Sequence, residues 1–290
     1  MTRLNQADID PIALQLHEYD AQLKRKTGLS LRQIACYGSG VDEALILDVL
    51  RRVRIAAVPI TSGLGVIGGF SEAVAAIVAH IGFESFVTES CDVAGMAEGV
   101  ERGADVLMLS DDERFVAIVP GRRLVVDNSK ATAQGFVAAL ERMKGGVAGE
   151  SVLVLGCGPV GVAAVEALME RGADVSLCDI HQERALAALR DLGQEASTRI
   201  RIEPNFRKAL ERFELIFEAT DAGAFIEAAH LTPQTIVAAP GLPLALTEEA
   251  MEEHGDRVLH DVLELGTATM AVQAAAKLAR RTEARKADEG

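Results

Sequence analysis

The stretch Ser151 to Asp179, SVLVLGCGPVGVAAVEALMERGADVSLCD, restricts this chain to few folds. It opens on Val152-Leu153-Val154-Leu155, a continuous apolar run with the length and β-branched content of a strand buried on both faces. The run passes without a gap into Gly156-Cys157-Gly158-Pro159-Val160-Gly161, a G-x-G-x-x-G. A helical pattern follows (Val162, Val165, Leu168, Met169) and stops at Arg171-Gly172. A second short strand, Val175 to Cys178, ends on Asp179. Each residue type has a physical task. Gly156 makes the turn, Gly158 lets backbone approach a pyrophosphate, and Gly161 lets helix and strand pack closely. The helix N-terminus offers free N–H groups and partial positive charge to the phosphates. Asp179 lies 18 positions past Gly161, near the spacing of roughly 20 at which an acid accepts ribose hydroxyls. A lone glycine motif is weak evidence, but strand, glycines, helix, strand and acid in one unit predict an NAD site. Gly156, Gly158, Pro159, Val160, Gly161 and Asp179 are its expected cofactor-binding residues. NADP is disfavoured, because Asp179 would repel a 2′-phosphate and the next arginine, Arg184, is five residues on.

Composition narrows the partners. At 290 residues the chain suits two domains or one large one, and 49% hydrophobic residues supply their cores. A net charge of -14 argues against nucleic acid and anionic membrane surfaces. Aromatics at 4%, with no Trp, leave no stacking platform for single strands. No charge-free run approaches the roughly 18 residues of a spanning helix. The first twenty residues carry acids where a signal peptide needs a basic and then an apolar stretch. Cys36, Cys91, Cys157 and Cys178 are scattered, so neither a metal site nor a disulfide framework is expected. These features predict a cytoplasmic enzyme acting on a small-molecule substrate. Oligomeric state is not legible.

Elsewhere, strands and helices alternate. An amphipathic helix is expected over 8–25, with Ile9, Ile12, Leu16, Tyr19 and Leu23 recurring at three and four. Strand patterns at 55–60, 83–88 and 106–109 are separated by helical patterns at 71–80 and 96–102, and 131–143 is helical. Beyond the glycine unit, Leu215 to Thr220, Ile236 to Gly241 and Val258 to Leu263 read as strands. Thr267 to Ala279 reads as a last helix before a charged tail, Arg280 to Gly290. The pattern is α/β throughout. Two α/β domains are expected: a substrate domain with a helical N-terminus over 1–145, and a Rossmann dinucleotide-binding domain over 146–290 that carries the last helix and tail. That helix is a candidate to return toward the first domain, and hydride transfer is expected across the cleft between the two.

Gly63-Leu-Gly65-Val-Ile-Gly68 also satisfies G-x-G-x-x-G, but Thr61-Ser62 separate it from its strand, and Glu89 and Asp92 are off the pattern for a ribose acid. The strands after the second loop end in Ala219-Thr220 and Pro240-Gly241, small or flexible residues suited to lie against ribose and nicotinamide. The cofactor is therefore assigned to the second loop. Thr61, Ser62 and a helix N-terminus at Ser71 would offer N–H and hydroxyl donors to an anionic substrate group. Close glycine packing of helix on strand is the competing account.

Asp111 follows a strand and is expected at the sheet's carboxyl edge. There it either holds a substrate ammonium and the cation left by hydride loss, or caps a turn. Asn128 is a second polar group at such an edge, with a turn Asn as the alternative. None of the six histidines lies in a recognisable motif, and His260 reads as a core residue. The missing His acid/base weighs against oxidation of an alcohol, whose hydroxyl proton needs a base. An amine sheds its proton before hydride transfer.

Several blocks in order resemble the pyrrolysine synthase family. They are Thr27-Gly28-Leu29, VPITSGLGVIGGFSEAVAAI from Val58 to Ile77, GFESFVTESCDVAGMAEGVERGADVLMLSDD from Gly82 to Asp112, and GCGPVG. FEAT from Phe217 to Thr220, PGLP from Pro240 to Pro243, and Gly266-Thr267-Ala268 continue the series. The resemblance implies NAD-dependent oxidation of the terminal amine in the 3-methylornithine part of a lysine–ornithine isopeptide. The imine hydrolyses to an aldehyde, and the remaining amine closes a pyrroline ring. It also implies Asp111 as the active-site aspartate, Ser62 and Asn128 as substrate-side positions, Leu4 on an N-terminal helix that closes over the pocket, and Gly266 on the cofactor side. Rival readings are another NAD-dependent amino-acid or shikimate-type dehydrogenase, and a non-catalytic NAD-binding sensor.

Overall fold

The computed structural model of the chain describes residue 4 and residues 6–193 and 198–288, with side chains described as far as 279. The chain divides into two compact units. The first takes the residues up to Lys24, Leu29–Gly135, and those from Leu263 onward; the second takes Arg25–Gly28 and Phe136–Val262.

In the first unit, helices α1 (Gln6–Ile9), α2 (Ile12–Thr27), α3 (Leu31–Gly38) and α4 (Glu43–Val49) precede strand β1 (Arg54–Val58). The single helix expected over 8–25 is two helices. Pro11 has no N–H to donate and forces the preceding residue out of helical geometry, so the chain breaks at Asp10-Pro11. Ser30 and Gln33 form a reciprocal capping box that starts α3. The unit continues with α5 (Phe70–His80), β2 (Glu84–Val87), α6 (Asp92–Glu101), β3 (Val106–Ser110), β4 (Phe115–Val119), β5 (Leu124–Asp127) and the start of α7 (Asn128–Lys144). The five strands form one sheet in the order β2-β1-β3-β4-β5. β1, β2 and β3 are parallel, whereas β4 runs antiparallel to both its neighbours. β1, β3 and β5 therefore end at one edge.

The last helix, α12 (Glu264–Asp288), belongs to this unit. Leu265, Ala268, Met270, Ala271, Val272, Ala274 and Ala275 are buried, and the helix packs on α3, α4, α5, β4 and β5. An alanine-rich face allows that close approach. Truncating Leu265 to Ala would cost about 2–5 kcal/mol. The expectation set a boundary at 145/146 with this helix in the Rossmann domain; by packing the helix groups with the first unit, since a helix with so many apolar positions follows the surface that buries them. It also starts before Thr267 and continues through the expected tail to Asp288.

The second unit holds the rest of α7, β6 (Ser151–Leu155), α8 (Pro159–Glu170), β7 (Asp174–Cys178), α9 (Gln182–Leu192) and β8 (Arg201–Ile202). Then come α10 (Phe206–Leu210), β9 (Leu215–Glu218), β10 (Ile236–Ala239), α11 (Glu248–His254) and β11 (Val258–His260). All pairs in its sheet are parallel, in the order β11-β10-β9-β6-β7-β8. Numbered from β6, that is the doubly wound dinucleotide-binding order, whose direction reverses between β6 and β9. Burial follows from composition: β6, β7, β9 and β10 lose nearly all contact with water, as apolar parallel strands covered on both faces must. Among the described residues, no helix is long and apolar enough to cross a membrane.

Candidate active site

In the second unit the glycine loop has the geometry its sequence predicts. Gly156 is at φ +89, and a Cβ there would lie 2.6 Å from the Ala219 carbonyl oxygen. A Cβ on Gly161 would lie 2.0 Å from the Gly156 carbonyl oxygen. These two glycines let loop, helix and β9 touch. Gly158 is different: nothing lies within 4 Å of where its Cβ would be. It is the N-cap of α8 but provides no side-chain bond to the first turn, and Pro159 and Val160 follow it. The α8 N-terminus thus presents amides with no internal cap beside an open backbone surface, the cradle that a pyrophosphate fits.

Asp179 ends β7 partly buried. Its Oδ2 accepts the Cys157 N–H at 2.8 Å and its Oδ1 accepts the His181 N–H at 2.8 Å. Each oxygen keeps a further lone pair for a ribose hydroxyl. Just beyond it, His181, Gln182, Glu183 and Arg184 line a cavity of about 520 Å³. Burial pushes the Cys157 thiol up to about 12, with Asp179 adding to the shift, so it is an unreactive neutral group. Ala219, Thr220, Pro240 and Gly241 stand at the ends of β9 and β10, on the side of the order reversal where cofactors bind. His260, on β11, is tied by Nδ1 to the Ala239 carbonyl at 2.7 Å, the satisfied histidine expected.

The first unit gathers its polar groups at the carboxyl edge of β1, β3 and β5. Asp111 follows β3 and is exposed. Its Oδ1 accepts the Glu113 N–H at 2.8 Å and the Arg114 N–H at 2.7 Å, while its own N–H donates to the Arg114 carbonyl. The turn-cap reading is therefore correct for Oδ1. Oδ2 has no hydrogen bond among the described residues. The Arg114 and Glu113 amides hold the Asp111 carboxyl below its usual range, so it is ionised near neutral pH.

Thr61 differs from expectation. Its N–H and hydroxyl both donate to the Asp92 carboxylate, so neither is free for a substrate anion. Asp92, set aside as off-pattern, stands at the start of α6 with φ 53, and Thr61 draws its carboxyl down. Asp112 closes the first glycine loop in the same manner. Its Oδ2 accepts the Leu64 N–H at 2.7 Å, and a Cβ on Gly63 would lie 2.0 Å from that oxygen. A loop whose amides face the protein's own carboxylate is a poor phosphate cradle. Ser62 is exposed beside it. Ser71 is not a helix cap: Gly69, at φ 79, turns the chain into α5 one residue early and leaves Ser71 inside the helix at 5% exposure. The side chains of Gln6 and Ile9 meet the positions of a Cβ on Gly68 and Gly69, so α1 lies on this loop, and Leu4, half-buried, precedes α1.

Asn128 is the first residue of α7 and not a turn Asn; its Oδ1 accepts the Thr132 hydroxyl at 3.3 Å. Gly266, expected beside the cofactor, lies in α12 against these two residues. A Cβ there would be 2.4 Å from Thr132 Oγ1 and 3.0 Å from Asn128 Oδ1.

Three residues escaped the sequence reading. Asp92 and Asp112 bond to partners 31 and 48 positions away, and no local pattern announces that. Glu218 did leave a signal, as the lone acid in the apolar strand Leu215-Ile216-Phe217-Glu218.

Comparison with known proteins matches the two halves of the chain to two different families, and the second match includes most of α12, which packs with the first unit. Residues 8–122 match the family described as pyrrolysine biosynthesis protein PylD, N-terminal domain. Residues 127–282 match the alanine dehydrogenase/PNT C-terminal domain. The pyrrolysine synthase of Methanosarcina acetivorans is 31% identical over 271 residues, covering 93% of this chain and 98% of that one. The pyrrolysine synthase of Methanosarcina barkeri is 30% identical over 270 residues, covering 93% and 97%. Among solved structures, quinate dehydrogenase from Corynebacterium glutamicum in complex with NAD superposes with a TM-score of 0.54 at 15% identity, covering 81% of this chain and 99% of that one. At that identity the likeness is one of fold.

Proposed function

The chain belongs to the pyrrolysine synthase family, and on that premise we propose that it oxidises the terminal amine of L-lysine-Nε-3-methyl-D-ornithine with NAD, yielding the aldehyde that cyclises to pyrrolysine. The observation that carries this reading is the match to relatives of that name along nearly the whole of both chains. The glycine cradle and Asp179 support NAD as the cofactor. When bound, NAD accepts one hydride from the carbon that bears the amine.

Asp111 is the proposed catalytic residue. Two backbone amides fix its Oδ1, which leaves Oδ2 to hold the substrate ammonium and to oppose the positive charge that grows as hydride leaves. Ser62, Asn128 and Leu4 are the proposed substrate-side residues, and Asp92 and Asp112 shape the loop that carries Ser62. Water then adds to the imine and ammonia departs. The remaining amine attacks the aldehyde, water leaves, and the five-membered ring closes. On balance the isopeptide loses ammonia and two hydrogens, and those two hydrogens leave as the hydride and a proton.

Incubation with the isopeptide and NAD tests this directly. NADH should appear in step with a product lighter by ammonia and two hydrogens. A folded sample that binds NAD and leaves the isopeptide unchanged would overturn the proposal.

A further inference from the structure

The end of β9 carries a buried acid that the glycine motif does not use. Glu218 is 0% exposed. Its Oε1 accepts the Thr220 N–H at 2.7 Å and the Thr220 hydroxyl at 2.6 Å. Its Oε2 is buried and has no hydrogen-bond partner among the described residues. The acid occupies the space beside the end of β10 that a side chain would otherwise fill. A Cβ on Gly241 would lie 2.4 Å from Oε2, 2.9 Å from Oε1 and 2.7 Å from the Thr220 carbonyl oxygen. The Gly241 N–H donates in turn to the Glu218 carbonyl at 3.1 Å. One side chain therefore sets the spacing between the ends of β9 and β10.

That place is exacting for a carboxylate. The charged group that bears on it is Asp221, another acid. Burial with one bare oxygen disfavours the ionised form relative to the same group in water. Burial pushes the Glu218 carboxyl up to about 7, the Thr220 bonds oppose the shift, and Asp221 adds to it. For stability alone, an apolar residue of the same volume would serve as well or better. The position instead belongs to the second mononucleotide half of the sheet, beside Ala219, whose carbonyl faces Gly156.

We propose that Glu218 is a positioning residue for the nicotinamide half of NAD: its paired contacts with Thr220 and its fill of the space beside Gly241 fix the wall that those two residues form. The inference rests on NAD binding and not on the identity of the amine. A chain that binds NAD but ignores the isopeptide would sink the proposed function and spare Glu218.

The test compares Glu218→Gln, Glu218→Leu and Glu218→Ala by direct NAD titration, with thermal melts to confirm folding. Gln retains an acceptor for Thr220 and a neutral donor, so it should bind NAD within about threefold of the parent. Leu fills the space without polar groups and should keep the fold while weakening NAD by about tenfold, as should Ala if it folds. Thr220→Val should weaken NAD by a similar factor, and adding Glu218→Leu to it should change little further, because both act through one contact. Parental affinity in Glu218→Leu would overturn the proposal. So would equal losses in Gln and Leu, because Gln keeps the acceptor that the Thr220 contact needs.

Discussion

Asp179 Oδ2 accepts the backbone N–H of Cys157 at 2.8 Å, so the acid that closes β7 is anchored to the glycine loop before any ribose arrives. Asp179→Ala removes that anchor and the diol acceptor together. Hydrogen bonds to a charged group contribute about 1.5–3 kcal/mol, and NAD affinity should fall by roughly 10- to 150-fold. NADP should lose less, since the repulsion of its 2′-phosphate goes too. Parallel calorimetric titrations of the two nucleotides check this, and an unaltered ratio would count against the assigned role.

Two glycines of one motif should fail differently. Gly161→Ala sets a methyl 2.0 Å from the Gly156 carbonyl oxygen, a backbone atom that yields little. Overpacking of this kind costs about 1–3 kcal/mol or more, so the melting temperature should drop. Gly158→Ala meets nothing within 4 Å; it should melt like the parent and lose NAD through collision with the pyrophosphate. Scanning calorimetry with and without NAD separates the two, and a destabilised, NAD-competent Gly158→Ala would contradict the cradle.

Asp111→Asn keeps an acceptor for the Glu113 and Arg114 amides, so the turn should survive, while the charge at Oδ2 is lost. Turnover should fall by about 10²–10³, the range for removal of one electrostatic stabiliser, and NAD affinity should hold. A steady-state assay beside an NAD titration reads both numbers; an Asn variant with full turnover would remove Asp111 from the mechanism.

Acid should loosen the segment after β2 through Glu98. Its carboxylate accepts the Ser90 N–H at 2.9 Å and the Glu89 N–H at 3.0 Å. The Ser90 and Glu89 amides draw its pKa from 4.5 to about 2. A group depressed on folding contributes stability that is complete above the unfolded value and is lost as pH falls through the folded one. The contribution of Glu98 should therefore decline between about pH 4.5 and 2. Melting temperatures across that range should be flatter for Glu98→Gln than for the parent; identical acid limbs would refute the assignment.

The second glycine unit was readable because its information is local. Strand, turn, helix and acid follow one another in 29 residues, and the parallel pairing of the strands follows from the same alternation. The first unit was harder for the opposite reason. Asp92 and Asp112 occupy the donors of Thr61 and Leu64 only after β1, β2 and β3 are aligned. Pro11 did announce the break in the first helix, but the apolar spacing across it is uninterrupted, and periodicity outweighed the breaker. Asp111 was legible as both cap and candidate; Oδ1 makes the cap, and the proposed role falls to Oδ2.

The return of α12 to the first unit has a consequence for biosynthesis. Most of the second unit is a single uninterrupted stretch, Phe136–Val262, and can settle as soon as it has left the ribosome. The first unit emerges earlier, yet its core waits for Leu265, Met270 and Val272. The usual N-to-C sequence of domain maturation is thereby inverted. Until α12 has emerged, the nascent N-terminal half carries an open hydrophobic face, the surface a chaperone would guard.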